Sequence, residues 1–440
     1  MLGQATLETT LRSLDQNESA QATVVRPDRY RLLECAVSNA AFSIPRGSGL
    51  SYCLASAGDG STSILMTQFD RVLDFDPRAR TITVEAGMTI GDLLLFVSKH
   101  DLWFPVIPGY PSITVGGCLA MNVHGKSQYH DGLFADHVEE FTLLHPSRGA
   151  MDCSRTQNQE IFALTVGGFG LTGVVTKMVL HLQELVSHGL DRTRAPVKSL
   201  THAVEVMLEH KDNCDQIYSW NDLNLKVGKF GCGFVYLESF AAGAKKKAFS
   251  VGNLRAENAH LPFPRLGLRA INHAYRAMEK LKPARQSFDL MEGAFPLNGK
   301  EIYFKACGSK GFNEFQMIIP MEEWPKFVGK LQSLIASHGV FTTLGSLKIF
   351  RGSPLFLNFR ADGVCIAIDI PRQTGDAAFM AALDNLMLEC VGIPNISKDS
   401  RLTSQVVASA FPGYEEYKSR LLDFDPEKRM QSALRARLDV

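Results

Sequence analysis

Residues 105–138 carry the stretch that decides the fold, PVIPGYPSITVGGCLAMNVHGKSQYHDGLFADHV. Pro108, Gly109 and Pro111 predict a tight backbone turn near its start. The double glycine at 116–117 and the small side chains after it would let a flat or polyanionic ligand approach the main chain and accept N–H hydrogen bonds. A glycine-rich crossover inside a large α/β domain would show the same pattern, so the rest of the chain has to distinguish the two interpretations.

The composition predicts a two-domain protein. The chain has 440 residues, too many for one ordinary domain, and 45% of them are hydrophobic, which is enough for sizeable cores. Lysine plus arginine and aspartate plus glutamate both number 46. This neutral balance argues against general nucleic-acid binding, which needs an excess of positive charge.

Cysteine use and the N-terminal sequence predict a cytoplasmic protein. The nine cysteines are scattered and form no CxxC pair, which indicates reduced core thiols and no thiolate metal site. Residues 1–21 are polar and predict no signal peptide. No apolar run approaches the ~20 residues needed to span a bilayer.

Short strands with a helix laid across them predict an α+β layer in the first part of the chain. Residues 1–25 are poor in apolar side chains, so we expect them to be loosely held. A helix is predicted at 31–37, and strands at 63–67 and 81–87. A further helix opens at Thr89, whose hydroxyl can cap the first turn.

A second glycine-rich segment follows a strand predicted at 139–145. Residues 161–180 contain four glycines ahead of a strand, which again indicates close backbone approach. A GxGxxG motif followed by a helix and a distant acid is missing, so the sequence does not support a Rossmann NAD site.

Residues 190–390 predict a second α+β domain. Strands alternate there with helices, the strands at 233–237, 315–320 and 365–371 and the helices at 321–337 and 376–390.

The segment 245–286 is basic, with ten lysines and arginines against two acids in a neutral chain. Aromatic and aliphatic residues are interleaved with these charges. A solvated basic helix and loop would explain the pattern. The functional alternative is a docking surface for anionic lipid, where each basic residue near the surface is worth ~1 kcal/mol.

Four glycine-rich or turn segments together resemble the flavin-cradling segments of the vanillyl-alcohol oxidase superfamily, whose FAD-binding domain is of the PCMH type. Three further segments resemble its decaprenylphosphoryl-ribose 2-oxidase branch. The superfamily segments are 46–52, 84–87, 108–117 and 167–173, and the branch segments are 122–126, 347–350 and 397–401.

The resemblance implies an α+β fold with a two-part FAD-binding domain at 1–187 and 393–440, and an inserted α+β substrate-binding domain at 188–392. It implies oxidation of the 2-hydroxyl of a polyprenyl-phosphate-linked ribose to a keto intermediate, as the first half of an epimerisation to arabinose for cell-envelope polysaccharide or glycolipid. A short-chain-type reductase would complete the epimerisation, and a quinone or other acceptor would reoxidise the flavin. Peripheral contact with the inner face of the plasma membrane would run through 245–286.

The resemblance also implies site residues position by position. Lys398, His124 and Lys126 are the implied catalytic residues. The implied cofactor-binding residues are Arg46, Gly47, Ser48, Gly49, Leu50, Ser51, Tyr52, Pro108, Gly109, Ser112, Thr114, Gly116, Gly117, Cys118, Met121, Asn122, His124, Gly125, Gly168, Gly173, Val174 and Val175. The implied substrate-binding residues are Trp220, Gln316, Lys348, Phe350, Cys365 and Lys398.

Several positions depart from the pattern of the resemblance. Leu50 stands where many superfamily members carry a flavin-linking histidine, so FAD is expected to be non-covalent. The pocket cysteine of the branch falls on Ala367, with Cys365 two residues before it, and the tyrosine ahead of the active lysine is Asn395. These departures concern the identity of the lipid-linked sugar more than the chemistry.

Our hypothesis is that Lys398 orients the substrate and assists deprotonation of its hydroxyl, while His124 sets flavin and sugar geometry. The alternatives are a surface lysine paired with Asp399 or Asp369 and a buried, non-catalytic histidine. His130 and His137 are expected to be structural, and no metal site is expected.

Two other functions stay open at the level of sequence. One is a soluble FAD oxidase or dehydrogenase of free sugar alcohols or aldonolactones on the same scaffold. The other is a flavin-holding partner subunit without turnover.

Overall fold

The computed structural model of the chain describes residues 6–224, 228–241, 249–252, 265–299 and 311–440, with the backbone alone at 265–268 and 344. Its strands are β1 Thr6–Arg12, β2 Ser19–Val25, β3 Ser43–Arg46, β4 Thr62–Leu65, β5 Val72–Asp76, β6 Thr81–Glu85, β7 Leu102–Trp103, β8 Val138–His145, β9 Gly149–Ser154, β10 Val174–His181, β11 Gln183–Glu184, β12 Gly189–Val197, β13 Gln216–Asp222, β14 Cys232–Ala241, β15 Arg285–Asp289, β16 Phe312–Ile319, β17 Leu344–Phe350, β18 Gly363–Pro371 and β19 Ile393–Pro394.

The helices within the same ranges pack on these strands or join them. They are α1 Tyr30–Asn39, α2 Ile90–Val97, α3 Val115–Met121, α4 Gln128–Asp131, α5 Gln159–Thr165, α6 Leu200–His210, α7 Arg265–Leu281, α8 Leu290–Ala294, α9 Trp324–His338, α10 Asp376–Glu389, α11 Ser404–Ala410, α12 Tyr414–Phe424 and α13 Ala433–Leu438.

The N-terminal residues are ordered, and our expectation that 1–25 would be loosely held is wrong for residues 6–25. β1 and β2 form an antiparallel hairpin, and β2 pairs with β4 in parallel. Leu11 and Ala22 are buried against Leu54. Only one face of the hairpin packs on the protein, and the other face lies open to water. A few apolar side chains at alternate positions are therefore enough to hold it.

An antiparallel sheet in the order β5-β6-β10-β8-β9 forms the next layer. The alternation of apolar and polar residues predicted for β6 is seen in the structure, where Ile82 and Val84 are buried in the core. The predicted cap of α2 is confirmed, because Thr89 Oγ1 accepts from the Asp92 N–H at 3.1 Å. The double glycine at 116–117 belongs to α3, where Thr114 Oγ1 caps the helix by accepting from the Gly117 N–H.

The second half of the chain builds an antiparallel sheet in the order β15-β12-β14-β13-β17-β18-β16-β19. Nearly every side chain of β18 is buried, which its almost continuous apolar sequence reflects. One face packs with α6, α9 and α10 in a core that includes Phe327, Leu347 and Ile366. The other face turns toward the first half of the chain.

The C-terminal helices return to the first half of the chain. Tyr417 and Leu434 share a core with Leu33 and Phe162, and the Ser43 N–H donates to the Arg429 carbonyl at 2.9 Å. This contact pattern supports a two-part first domain, and we keep the boundaries 1–187, 188–392 and 393–440 as a proposal.

A buried ion pair anchors this return, and its loss is expected to destabilise the fold. Arg435 Nη1 lies 2.7 Å from Asp425 Oδ2, and both side chains are almost fully buried. Arg435→Met leaves the carboxylate buried without its guanidinium partner, so urea unfolding should show a loss of about 3–5 kcal/mol in the free energy of unfolding. The matched control is Lys418→Met, which removes an exposed pair with Asp439 and should cost less than about 1 kcal/mol. Equal losses in the two variants would contradict the prediction.

Candidate active site

A cavity of about 430 Å³ lies between the glycine-rich segments and the free face of the eight-stranded sheet. Its volume is in the range of small-ligand sites. The predicted site residues that line it are Gly47, Ser48, Gly49, Leu50, Ser51, Tyr52, Pro108, Gly109, Thr114, Gly116, Gly117, Met121, Asn122, His124, Gly125, Lys126, Gly173, Val175, Gln316, Lys348 and Lys398.

Main chain rather than side chains lines much of the cavity on the glycine-rich side. A Cβ on Gly47 would lie 2.2 Å from Thr114 Oγ1, and a Cβ on Gly116 would lie 2.9 Å from the Ala86 carbonyl oxygen. Larger residues would therefore close the space between these segments. The resulting groove fits the dinucleotide that the resemblance implied, because backbone N–H groups and small side chains can surround it.

Some predicted cofactor-binding residues lie behind the cavity wall. Arg46 donates to Ser56 Oγ at 2.7 Å, and Cys118 is buried in the core below α3. Val174 and Val175 point to opposite sides of β10, so only Val175 reaches the cavity. Ser112 and Gly168 support it through their carbonyl oxygens, which accept from Ser48 Oγ and the Tyr417 hydroxyl.

Three predicted substrate-binding residues also lie outside the cavity wall. The Trp220 ring packs on Tyr275, with centroids 4.9 Å apart, so it contacts α7 on the sheet surface. Phe350 places its ring 4.9 Å from the His124 ring and supports that side chain. Cys365 is buried opposite Lys348 in the register of β17 and β18. Ala367, two residues further along β18, lines the cavity in its place.

Lys398 stands over an aromatic ring beside a carboxylate. Its Nζ lies 3.8 Å from the centroid of the Tyr52 ring and 3.7 Å from Glu314 Oε2. Asp399, the alternative partner, is held instead by Arg401 at 2.7 Å. The ring face and the acid hold the ammonium at the cavity wall, which Tyr52, Glu314 and Lys398 line together.

His124 and Lys348 form a second polar group in the cavity. Lys348 Nζ lies 3.4 Å from His124 Nδ1. Burial lowers the pKa of His124 well below its ordinary value, and the ammonium groups of Lys348 and Lys398 lower it further. The imidazole is therefore neutral at physiological pH. Burial also lowers the pKa of Lys348 to about 8, so this lysine changes charge near neutral pH.

Lys126 lines the cavity, but other groups bind its ammonium. Its Nζ donates to Glu238 Oε2 at 3.0 Å and to the Gly293 carbonyl at 2.9 Å. Arg192 and the Tyr218 hydroxyl donate to the other oxygen of Glu238 at 2.6 and 3.1 Å. Burial alone would raise the pKa of Glu238, yet the two cations hold it below its ordinary value. This geometry fits a positioning role better than the catalytic role implied for Lys126.

The remaining histidines that the sequence singled out have backbone partners. His130 Nε2 lies 2.6 Å from the Lys211 carbonyl and His137 Nε2 lies 2.8 Å from the Asp131 carbonyl. Across the part of the chain that the structure describes, no group of three or more histidine, cysteine or acidic side chains could hold a metal ion.

Sequence reasoning missed two carboxylates of the cavity wall and the buried partners of Lys126. Glu314 and Asp369 face each other across β16 and β18 and both line the cavity. Glu314 could have been found, because it lies two residues before Gln316 on the same strand face. Glu238 and Arg192 gave no signal, since nothing in their local sequence marks a partner for Lys126.

Comparison with known proteins supports the flavin interpretation. Residues 28–154 match the family model described as the FAD binding domain. The chain is 26% identical over 418 residues to decaprenylphosphoryl-beta-D-ribose oxidase of Mycolicibacterium smegmatis, covering 90% of this chain and 89% of that protein. It is 28% identical over 166 residues to L-gulonolactone oxidase of Bos taurus, covering 35% and 38% of the two chains.

A solved structure shares the fold. Xylooligosaccharide oxidase from Myceliophthora thermophila superposes with a TM-score of 0.69 over 95% of this chain and 92% of that one, at 13% sequence identity. Together these similarities confirm the predicted α+β fold and FAD as the cofactor.

The lowered pKa of Lys348 predicts a pH-dependent stability difference. The lysine is deprotonated above about pH 8 in the folded protein but only above about pH 10.4 in the unfolded chain. Between these values the unfolded state binds more protons, so folding stability should rise with pH. Relative to Lys348→Met, the wild type should gain up to about 1.4 kcal/mol per pH unit in this window.

Urea unfolding of both proteins at several pH values measures this difference, because contributions common to the two cancel. Lys330→Met, at an exposed lysine paired with Glu389, is the control and should follow the wild type in parallel. A wild-type curve parallel to that of Lys348→Met would show that Lys348 keeps its ordinary pKa.

Proposed function

We propose that this chain, an FAD-dependent alcohol oxidoreductase, belongs to the vanillyl-alcohol oxidase superfamily and oxidises the 2-hydroxyl of a polyprenyl-phosphate-linked ribose to a keto intermediate. The observation that carries the proposal is the position of Lys398, whose ammonium faces the cavity over Tyr52 and beside Glu314. The similarity to the Mycolicibacterium smegmatis oxidase over nearly the whole chain supports the lipid-linked substrate.

The residues that would hold FAD are the cavity-lining members of the glycine-rich segments, 47–52, 108–109, 114–125 and 173–175. We propose that FAD is non-covalent, because Leu50 offers no nucleophile for a flavin linkage. When bound, FAD supplies the hydride acceptor for alcohol oxidation.

The side chains at the sheet face of the cavity can bind and deprotonate a hydroxyl. Lys398 Nζ donates to the hydroxyl oxygen and stabilises the negative charge that develops there. Glu314, 3.7 Å from the same Nζ, accepts the hydroxyl proton at its carboxylate. Neutral His124 and Gln316, which both line the cavity, hold the sugar ring by hydrogen bonds.

The cellular setting follows from the same proposal. A short-chain-type reductase would reduce the keto group and complete an epimerisation to arabinose for cell-envelope polysaccharide or glycolipid, and a quinone or other acceptor would take the electrons. The protein would be cytoplasmic, with peripheral contact at the inner face of the plasma membrane through 245–286. Within the described ranges no helix is long and apolar enough to cross a bilayer. Four basic residues of the segment 245–286 lie outside the residues that the structure describes, namely Lys245, Lys246, Lys247 and Arg255.

A second candidate is oxidation of free sugar alcohols or aldonolactones. Glu314 and Asp369 place two carboxylates in the cavity wall, and carboxylates accept hydrogen bonds from hydroxyl groups but repel phosphate. The partial similarity to L-gulonolactone oxidase also favours this second candidate.

Anaerobic mixing of the FAD-loaded protein with each substrate class distinguishes the candidates. A polyprenyl-phospho-ribose should bleach the flavin absorbance, while free polyols and L-gulonolactone should leave it unchanged. Bleaching by the free compounds alone would establish the second candidate. If neither the lipid-linked sugar nor the free compounds bleach the flavin, the result would favour a flavin-holding subunit without turnover. Acid precipitation should release the flavin into the supernatant if its linkage is non-covalent.

Replacement of Lys398 tests the proposed chemistry. Lys398→Met should bind FAD normally but reduce it at least about a hundredfold more slowly in stopped-flow mixing with substrate, because the donor to the hydroxyl is lost. Lys418→Met on α12 is the control for loss of a lysine. A Lys398→Met variant with normal FAD content and an undiminished reduction rate would disprove the role.

A further inference from the structure

Helix α7 turns the polar side chains of Asn272, Tyr275 and Glu279 toward the protein. Asn272 and Glu279 are buried, and the Tyr275 hydroxyl lies 3.0 Å from the Tyr236 hydroxyl on β14. Tyr236 in turn donates to Glu279 Oε2 at 3.3 Å. The helix is thus attached to the sheet by hydrogen bonds, and its apolar side chains are left for the opposite face.

The outward face of α7 is an apolar stripe. Ile271, Met278 and Leu281 are 45%, 54% and 87% exposed, and Leu281 is the most exposed large apolar side chain of the described residues. At about 100° per residue these positions fall within an arc of about 120°, wide enough for one face of an amphipathic helix. The small exposed residues that complete the arc are Ala270, Ala274 and Ala277.

Basic side chains border the stripe. Arg269 and Lys280 are exposed along one flank, and Lys282 is exposed just beyond the end of the helix on the other. Between 269 and 285 the only acid is Glu279, which is buried and paired with Lys282. The exposed charges that the segment 269–285 itself contributes around the stripe are therefore all cationic.

The inward face of α7 lies next to the cavity wall. Tyr275 contacts Tyr236, and the Tyr236 ring stacks on the Tyr218 ring with centroids 5.1 Å apart. Tyr218 lines the cavity. Three tyrosines in contact thus connect the inward face of α7 to the candidate active site.

We propose that α7 docks on an anionic membrane surface, lying in the plane of the interface. The stripe enters the apolar boundary while Arg269, Lys280 and Lys282 contact lipid phosphates. The stripe from 270 to 281 offers about 18 Å of contact length. The purpose of docking, which is to bring the cavity to a lipid-linked substrate, rests on the proposed function. The stripe and its charges are independent of the sugar.

Co-sedimentation of the FAD-loaded full chain with vesicles tests the proposal without substrate. Binding to vesicles of equal parts phosphatidylglycerol and phosphatidylcholine is expected, with much weaker binding to phosphatidylcholine alone. Ile271→Gln/Met278→Gln/Leu281→Gln keeps the charge and should weaken binding at least about tenfold, because apolar burial is lost. Arg269→Gln/Lys280→Gln should weaken binding about tenfold or more to the anionic vesicles only.

The matched control is Val391→Gln/Leu422→Gln, which removes two exposed apolar side chains elsewhere and should bind as the wild type does. Flavin absorbance in every variant reports that the protein is folded. Undiminished binding by the triple variant, or absence of binding by the wild type, would overturn the proposal. The proposal would also be overturned if the wild type did not bind vesicles but self-associated in sedimentation velocity, and if the triple variant did not self-associate. Flavin bleaching by the lipid-linked substrate in detergent would show separately whether the proposed function stands.

Discussion

The ion pair between Lys126 and Glu238 joins the two halves of the active site. Lys126 comes from the glycine-rich stretch and Glu238 from the eight-stranded sheet, and the carboxylate is completely buried. A buried carboxylate needs compensation, which Lys126, Arg192 and Tyr218 supply. Because His124 lies two residues before Lys126, this pair also sets where the imidazole stands. The buried charge of Glu238 is thus shared between a cation of its own sheet, Arg192, and a cation of the glycine-rich stretch, Lys126.

Burial divides the polar groups of the cavity into different charge states. His124 is kept neutral by desolvation and by two neighbouring lysines. Lys348 is held near its point of deprotonation. Lys398 has a carboxylate beside it and an aromatic ring below it. A site that oxidises an alcohol needs a donor for the oxygen and an acceptor for its proton, and Lys398 with Glu314 provides both within one ion pair.

Local sequence was a good guide wherever local forces decide structure. The cap at Thr89, the alternation of β6 and the apolar run of β18 were all visible in the sequence, because caps and strand periodicity involve near neighbours. The N-terminal hairpin was missed, since its few apolar residues are held by Leu54 from a distant loop. Trp220 was expected at the substrate and instead packs on Tyr275, a contact between elements far apart in the chain.

The sequence by itself indicated glycine-rich segments that a ligand could approach and an α+β fold, because these depend on residue types along short segments. The resemblance of those segments to a flavoenzyme superfamily implied the flavin cofactor. Only the tertiary structure decided which lysine is available for chemistry. Lys126 and Lys398 are equally plausible as letters in a motif, yet folding binds the ammonium of the first to Glu238 and to the Gly293 carbonyl. It places the ammonium of the second at the cavity wall, over Tyr52 and 3.7 Å from Glu314. The same holds for α7, whose outward apolar stripe becomes apparent only when its polar face is seen to bind the sheet. Long-range pairing between residues with no local signature is the physical reason for the difference.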